Sequence, residues 1–282
     1  MARIFSFLKL GYGVVLDIIN FMISAFIFIL GTIIGSFLNV LVLRYGNLFY
    51  SKQRSGCFSC SHTLNFFDLI PILSFLYLGG KCQYCKSKIS VQYPLVEFLT
   101  GLVFFFTYMK IGIIGIELLF WLTIWSIFIA IFVYDLKHKI IPNGLVYTLI
   151  LLSFVYTLWP VYFGSGVDLW LIAAGPIAAT PFAFLWLVSR GRWMGLGDAK
   201  LALAMGWLLG VLGVISAITY AFWLGAVVGL FLIFLSRIKL SVLSQKFKNL
   251  TIKSEIPFAP FLIIGTGVVF FIGITILELS VF

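Results

Sequence analysis

Apolar stretches about the length of a membrane crossing follow one another along most of this chain, broken at charged or Pro/Gly-marked positions. About 20 such residues in a helix span the ~30 Å hydrocarbon layer of a bilayer. Of the 282 residues, 62% are hydrophobic and 10% charged. No soluble domain of this size hides that much apolar surface, so the bilayer is the solvent and the fold class is an all-α membrane protein. Spans are expected near 18–43, 93–110, 113–134, 144–163, 169–189 and 257–279. Residues 199–235 are too long for one crossing and should turn near Gly210–Gly213 into two, the first rather short. That makes about eight transmembrane helices. The weakly basic stretch Met1 to Gly13 is followed by no small-residue cleavage site, so the first span is read as retained.

The 19 Lys and Arg test that layout. Arg44, Lys52, Arg54, Lys81, Lys86 and Lys88 fall between spans one and two, and Lys137 and Lys139 follow span three. Arg190, Arg192 and Lys200 flank a Gly-Asp turn, and Arg237, Lys239, Lys246, Lys248 and Lys253 precede the last span. All 16 share one face, leaving Arg3, Lys9 and Lys110 opposite. Lys and Arg concentrate in cytoplasmic loops, so that face is cytoplasmic and both termini lie on the other side. The basic excess therefore reports topology and attraction to anionic lipid headgroups, with no nucleic-acid partner.

Residues 44–92 form the sizeable polar stretch and carry all four cysteines. Cys57-x2-Cys60 and Cys82-x2-Cys85, 21 residues apart, each place two thiolates on a tight turn. Together they suit a four-thiolate, structural Zn²⁺ site. Disulfides or a redox pair are the alternatives, and iron is a minor one; a cytoplasmic position disfavours stable disulfides. The loop has little apolar content, so metal binding should supply much of its folding free energy. No sequence repeat is evident.

Two acids stand apart. Asp135 ends span three in Asp135-Leu-Lys-His-Lys-Ile-Ile-Pro142-Asn143, and Asp198 opens span six in Gly195-Leu-Gly197-Asp198-Ala-Lys200. Ionisable groups are costly near the hydrocarbon layer and mark function by default. Either aspartate alone reads as a helix end at the interface. Two on one face can share a proton, as an aspartyl protease requires of its pair. Gly195 and Gly197 allow a sharp turn and close approach of a peptide. The helix dipoles place Asp198 at a positive end and Asp135 at a negative one, which assigns Asp198 as general base and Asp135 as proton donor. Lys200 tunes the pair, holds substrate or snorkels to lipid phosphates. His62 and His138, both in polar loops, are read as solvated.

These motifs, in this order, resemble the bacterial prepilin peptidases (type IV leader peptidases), membrane aspartyl proteases with a Gly-x-Gly-Asp turn. Gly35-Ser-Phe-Leu-Asn39-Val through Arg44 is similar to the family's first-helix motif, and the cysteine pairs bracket Ile70-Pro71-Ile-Leu-Ser-Phe75-Leu. Ile89-Ser90 and Tyr93-Pro94-Leu-Val-Glu97 resemble the entry to the second helix, and Ile256-Pro257-Phe-Ala-Pro260-Phe-Leu the opening of the last. Phe58 departs from the proline that many relatives carry there.

The resemblance implies Asp135 and Asp198 as the catalytic dyad, supported by Gly195, Gly197, Lys200 and Pro142. It implies Cys57, Cys60, Cys82 and Cys85 as ligands of Zn²⁺. The expected reaction is cleavage of the basic leader of prepilins and pseudopilins after glycine, at the cytoplasmic face of the inner membrane. N-methylation of the new terminus with S-adenosylmethionine is expected with it. Asn39, Arg44 and Glu97 are candidates for holding that cofactor; snorkelling and a helix–helix hydrogen bond are the competing roles. The implied domains are 1–43 (N-terminal segment and first helix), 44–92 (zinc loop) and 93–282 (protease core). A preflagellin or signal-peptide-peptidase type enzyme, or a metal-anchored transporter or scaffold, are the other classes.

Overall fold

The computed structural model describes residues 2–45, 55–57, 59–162, 168–237, 257–273 and 275, with side chains described outside 2–17, 160–162 and 235–237. The expected loop residues Lys52, Arg54 and Phe58, the basic run 238–256 and the end of the last span lie outside these residues. The helices are α1 (Ala2–Arg44), α2 (Leu73–Tyr77), α3 (Gln92–Ile111) and α4 (Ile116–His138). They continue as α5 (Asn143–Tyr162), α6 (Leu169–Ser189), α7 (Leu196–Arg237) and α8 (Ala259–Ile272). A 3₁₀ turn at Phe66–Leu69 and two isolated bridges complete the described elements. Among the described residues, five helices are long and apolar enough to cross a membrane, and Asn143–Trp159 and Ala259–Ile272 are shorter apolar ones.

The end of α4 differs from expectation. The third span was expected to end at Tyr134; α4 instead runs to His138, so Asp135 lies inside its last turn. Lys137 and His138 in that turn complement the negative helix end. Helix α8 closes at Ile272, where Gly273 takes a left-handed cap (φ 75°).

Helix α7 turns back on itself at Gly210 (φ 71°, ψ 178°), a conformation open essentially to glycine alone. A Cβ on Gly206 would meet Ala174 and Gly175, and one on Gly210 would meet Leu171. Phe222 then stacks on Phe182. The contacts run down α6 and climb again, so the 14 residues before the glycine and the residues after it form two separate helices. With that turn, the apolar helices of the described residues number eight.

The chain divides into two compact units, Met1–Ala130 and Ile131–Phe282. In the first, α1 and α3 approach through glycine. A Cβ on Gly31 would sit 2.8 Å from the Gly101 Cα, and one on Gly35 2.8 Å from the Glu97 Cα. Lipid tails are as apolar as leucine, so such helices associate by close van der Waals approach through small residues. The Gly31-x3-Gly35 spacing is readable in the sequence as such a contact face. Below it, Ile27, Phe104, Tyr108, Leu118 and Leu122 form a buried cluster.

In the second unit α7 packs against α5, α6 and α8. A Cβ on Gly265 of α8 would overlap the Ala217 carbonyl, so only glycine permits that approach. Pro176 has no N–H to give the carbonyl of Ile172, four residues back in α6. The Trp207 indole N–H donates to that oxygen instead (2.9 Å). The Trp207 carbonyl, one turn before the Gly210 break, accepts from the Thr157 hydroxyl (3.1 Å). Freed backbone groups are thus satisfied by neighbouring helices, as an interior without water demands.

Gly31→Ala should destabilise the detergent-solubilised chain by about 1–3 kcal/mol through overpacking. Gly115→Ala, where no atom lies within 4 Å of the added carbon, should leave the thermal midpoint unchanged.

Candidate active site and metal centre

The two cysteine pairs fold into the same turn twice. Cys57 N–H donates to the His62 carbonyl and Ser61 N–H to the Cys57 carbonyl; Cys82 N–H and Lys86 N–H do the same with Ser87 and Cys82. Ser61 and Lys86, each just after a second cysteine, both take φ 57°. Bridges Gly56–Thr63 and Lys81–Lys88 close the two turns. This is a structural repeat of 25 residues, which the sequence hides because little beyond the cysteine spacing is shared. The four sulfurs lie within 4.8 Å of one another, and Cys57 Sγ is 3.7 Å from Cys85 Sγ. A tetrahedral ion with ~2.3 Å bonds to sulfur sets its ligands about 3.8 Å apart, so the donor set fits one metal ion. Backbone hydrogen bonds from Cys60 and Ser59 push the Cys57 thiol down to about 6. The Ser87 hydroxyl holds Cys85 below its ordinary value. Both favour the thiolate that a metal needs. His62 of the first turn stacks on Tyr84 of the second with ring centroids 3.7 Å apart.

The aspartates come together in the second unit. Asp135 is 4% exposed and Asp198 9%, and Asp135 lies close enough for its charge to act on Asp198. Two carboxyls so placed can pass a proton between water and a substrate carbonyl. The Asp135 carboxyl accepts the N–H of Ala259, at the first turn of α8. That amide is held by an aromatic cluster in which Phe258 packs on Phe222 (5.0 Å) and Phe182 (6.2 Å). Both acids therefore face a helix N-terminus, Asp198 that of its own helix and Asp135 that of α8. The helix dipoles no longer separate them, and the base and donor assignment drawn from the sequence loses its basis. Nothing in the spacing of residues 135 and 259 foretold that hydrogen bond.

Gly195 and Gly197 lead into α7 through a turn in which the Asp198 N–H donates to the Gly195 carbonyl (3.3 Å). Neither has a positive φ; the left-handed residues of this connection are Arg190 and Gly191. A Cβ on Gly197 would meet the Ile141 side chain at 3.0 Å, so this glycine lets the first turn of α7 close onto the segment leading into α5. A Cβ on Gly195 would meet only the Gly197 nitrogen at 3.9 Å and Asp198 Oδ2 at 4.0 Å. Gly195 thus leaves space open beside the carboxylate. Pro142 is buried at the start of α5, where its carbonyl accepts from Val146 N–H (3.1 Å). Lys200 donates to Asn143 Oδ1 (2.9 Å) and lies over the Tyr147 ring (4.6 Å), tying α7 to α5. His138 packs on Tyr134 of its own helix.

Asn39 and Glu97 lie at one end of the α1–α3 pair in the first unit, and Arg44 closes α1 beside them in sequence. Asn39 Nδ2 donates to the Tyr93 carbonyl (3.2 Å), while its buried Oδ1 has no partner. Glu97 accepts from the Ile72 N–H (2.8 Å) and from Ser36. Glu97 is thus first an anchor of the cysteine loop, a role its sequence position did not disclose.

Residues 29–111 match the family model described as bacterial peptidase A24 N-terminal domain, and 121–230 that of the type IV leader peptidase family. A prepilin leader peptidase/N-methyltransferase of Vibrio cholerae is 30% identical over 86% of this chain and 94% of its own length. One from Bacillus subtilis is 32% identical over 89% of this chain and 95% of its own. A third, from Myxococcus xanthus, is 32% identical over 74% of this chain, a stretch spanning 63% of that relative. No solved structure matches.

Elemental analysis of the purified chain should find one metal ion per molecule, absent from Cys82→Ser. That variant should also expose residues 55–91 to limited proteolysis, because loop folding and metal binding are one equilibrium. Asp135→Asn and Asp198→Asn should retain the metal in full.

Proposed function

The chain belongs to the type IV leader peptidase family, and from that premise we propose that Asp135 and Asp198 are the catalytic dyad of an aspartyl endopeptidase in the bacterial inner membrane. Its substrates are prepilins and pseudopilins, cut after glycine at the cytoplasmic face. The observation that carries the reading is the pair of buried carboxylates, from two helices of one unit, within electrostatic reach of each other. One carboxylate takes a proton from water, and the resulting hydroxide adds to the scissile carbonyl carbon. The other, protonated, gives its proton to the carbonyl oxygen. The first acid then gives its proton to the amide nitrogen while a hydroxyl of the gem-diol returns one to the second carboxylate, which breaks the C–N bond and restores the pair with its single proton. The space beside Gly195 admits an extended peptide backbone next to Asp198. The Ala259 N–H keeps the Asp135 carboxyl in one orientation through the cycle.

The four-thiolate set holds Zn²⁺ in a structural role, since protein sulfur fills all four positions. The second activity is methylation of the new N-terminus. S-adenosylmethionine supplies the methyl group when bound. Asn39 fits a place in its site, because a buried amide oxygen without a partner is an acceptor left for a ligand amine. Arg44 would meet the cofactor's carboxylate. Glu97 would add charge to the same end, beyond its bond to Ile72.

Mass spectrometry of a Gly-Phe prepilin-type substrate in membranes with S-adenosylmethionine tests both activities. Asp135→Asn and Asp198→Asn should each lower cleavage by roughly 10²–10⁴-fold. The double variant should fall little further, because the two act as a unit. Normal cleavage by either single variant would exclude the dyad. Asn39→Ala should cleave normally and leave the product unmethylated; a methylated product would remove Asn39 from the cofactor site.

A further inference from the structure

The cysteine loop carries an apolar surface that neither the metal turns nor the dyad uses. On the short helix α2, Leu73, Leu76 and Tyr77 are 64%, 67% and 90% exposed. Phe66 and Phe67 of the preceding 3₁₀ turn are each 79% exposed. Phe75 takes the inward side, its ring lying where a Cβ on Gly80 would come within 2.9 Å. Five large apolar side chains within twelve residues make a patch that a water-facing loop does not keep without a partner.

The depth of this patch follows from one hydrogen bond. The Ile72 N–H, immediately before α2, donates to Glu97 Oε2 at 2.8 Å. Glu97 is 7% exposed and sits five residues into the apolar span that begins at Gln92. At 1.5 Å per residue this is about 7.5 Å along the helix, comparable to the thickness of one headgroup layer. The turn into α2 is held there against its own preference: Ile72, a β-branched residue, has φ 61°. Ser36 bonds to the same carboxylate, and a Cβ on Gly35 would touch the Glu97 backbone. Hence α1, α3 and the start of α2 are pinned together at a single level. Lys81, Lys86 and Lys88, all exposed, follow α2 in the loop and complement lipid phosphates.

We propose that the segment from Phe66 to Tyr77 lies in the membrane interface, with Phe66, Phe67, Leu73, Leu76 and Tyr77 inserted among lipid acyl chains and the metal turns standing above it. Glu97 is the positioning residue that sets this depth. The metal centre would then be held at the bilayer surface by lipid contact as well as by its two flanking spans. The inference rests on the membrane reading alone and stands or falls separately from the peptidase assignment.

The test is photo-crosslinking of the full chain in vesicles of phosphatidylcholine and phosphatidylglycerol. A benzophenone-bearing residue replaces Phe67, Leu76 or Tyr77 in turn. Phe98, a half-exposed residue of α3, is the in-membrane reference, and Gln83, exposed in the second metal turn, is the aqueous one. Unchanged metal content verifies that each variant is folded. Lipid adducts at 67, 76 and 77 with yields comparable to 98, and several-fold above 83, are expected. Adducts at 98 alone would overturn the proposal. So would adducts at 76 and 77 that go to a co-reconstituted prepilin-type peptide, or to a second copy of the chain, in place of lipid.

Discussion

Backbone-to-backbone approach of helices, made possible by residues with almost no side chain, is the interaction on which the rest of this molecule depends. Inside a bilayer there is no water to expel, so helices gain little from covering leucine with leucine. They gain from contact, and contact here is set by glycine. Gly265 lets α8 lie against Ala217, which brings the Ala259 amide to Asp135. Gly206 lets α7 meet α6 at Ala174 and Gly175, and Gly210 turns the chain back. Gly197 closes the start of α7 onto Ile141 and carries Asp198 with it. The placement of the two buried acids in one unit is a product of that packing.

The same constraint explains where the polar groups went. Two buried acids among the described residues found specific donors, Glu97 the Ile72 amide and Ser36, Asp135 the Ala259 amide, while Asp198 faces the like charge of Asp135. The carbonyl orphaned by Pro176 found the Trp207 indole. An unpaired polar group in a dry interior costs on the order of 1–3 kcal/mol, so such pairings are selected as strongly as shape. Asn39 Oδ1 is the conspicuous remainder, a buried acceptor with nothing donated to it. The loop shows the complementary arrangement: five of its large apolar side chains are exposed, and its polar turns bring four thiols within reach of one metal ion.

Much of this was legible beforehand, for identifiable reasons. Helix positions followed from runs of apolar residues, and the break at Gly210 from a stretch too long for one crossing. The cysteine quartet followed from spacing, because two residues between ligands set a tight turn. The extent of α4 was missed by one turn: Lys137 and His138 look like a loop by charge, yet cations suit a helix C-terminus. Which of the two glycines, Gly195 and Gly197, makes room for a neighbour and which leaves space open was not legible, since the two are identical in sequence. The Gly31-x3-Gly35 face was readable by its spacing but needed Gly101 opposite to acquire meaning.

What the sequence determined by itself is whatever is local or counted: span lengths, the pairs of thiols, the two acids set into apolar surroundings. Those follow from the fixed rise of a helix and from the cost of charge near lipid. What only the tertiary structure decided is which distant groups meet. Residues 72 and 97, 135 and 259, and 172 and 207 are joined by single hydrogen bonds across separate segments. No periodicity encodes such a bond. It exists because the helices have packed, and packing is set by shapes that meet only in three dimensions.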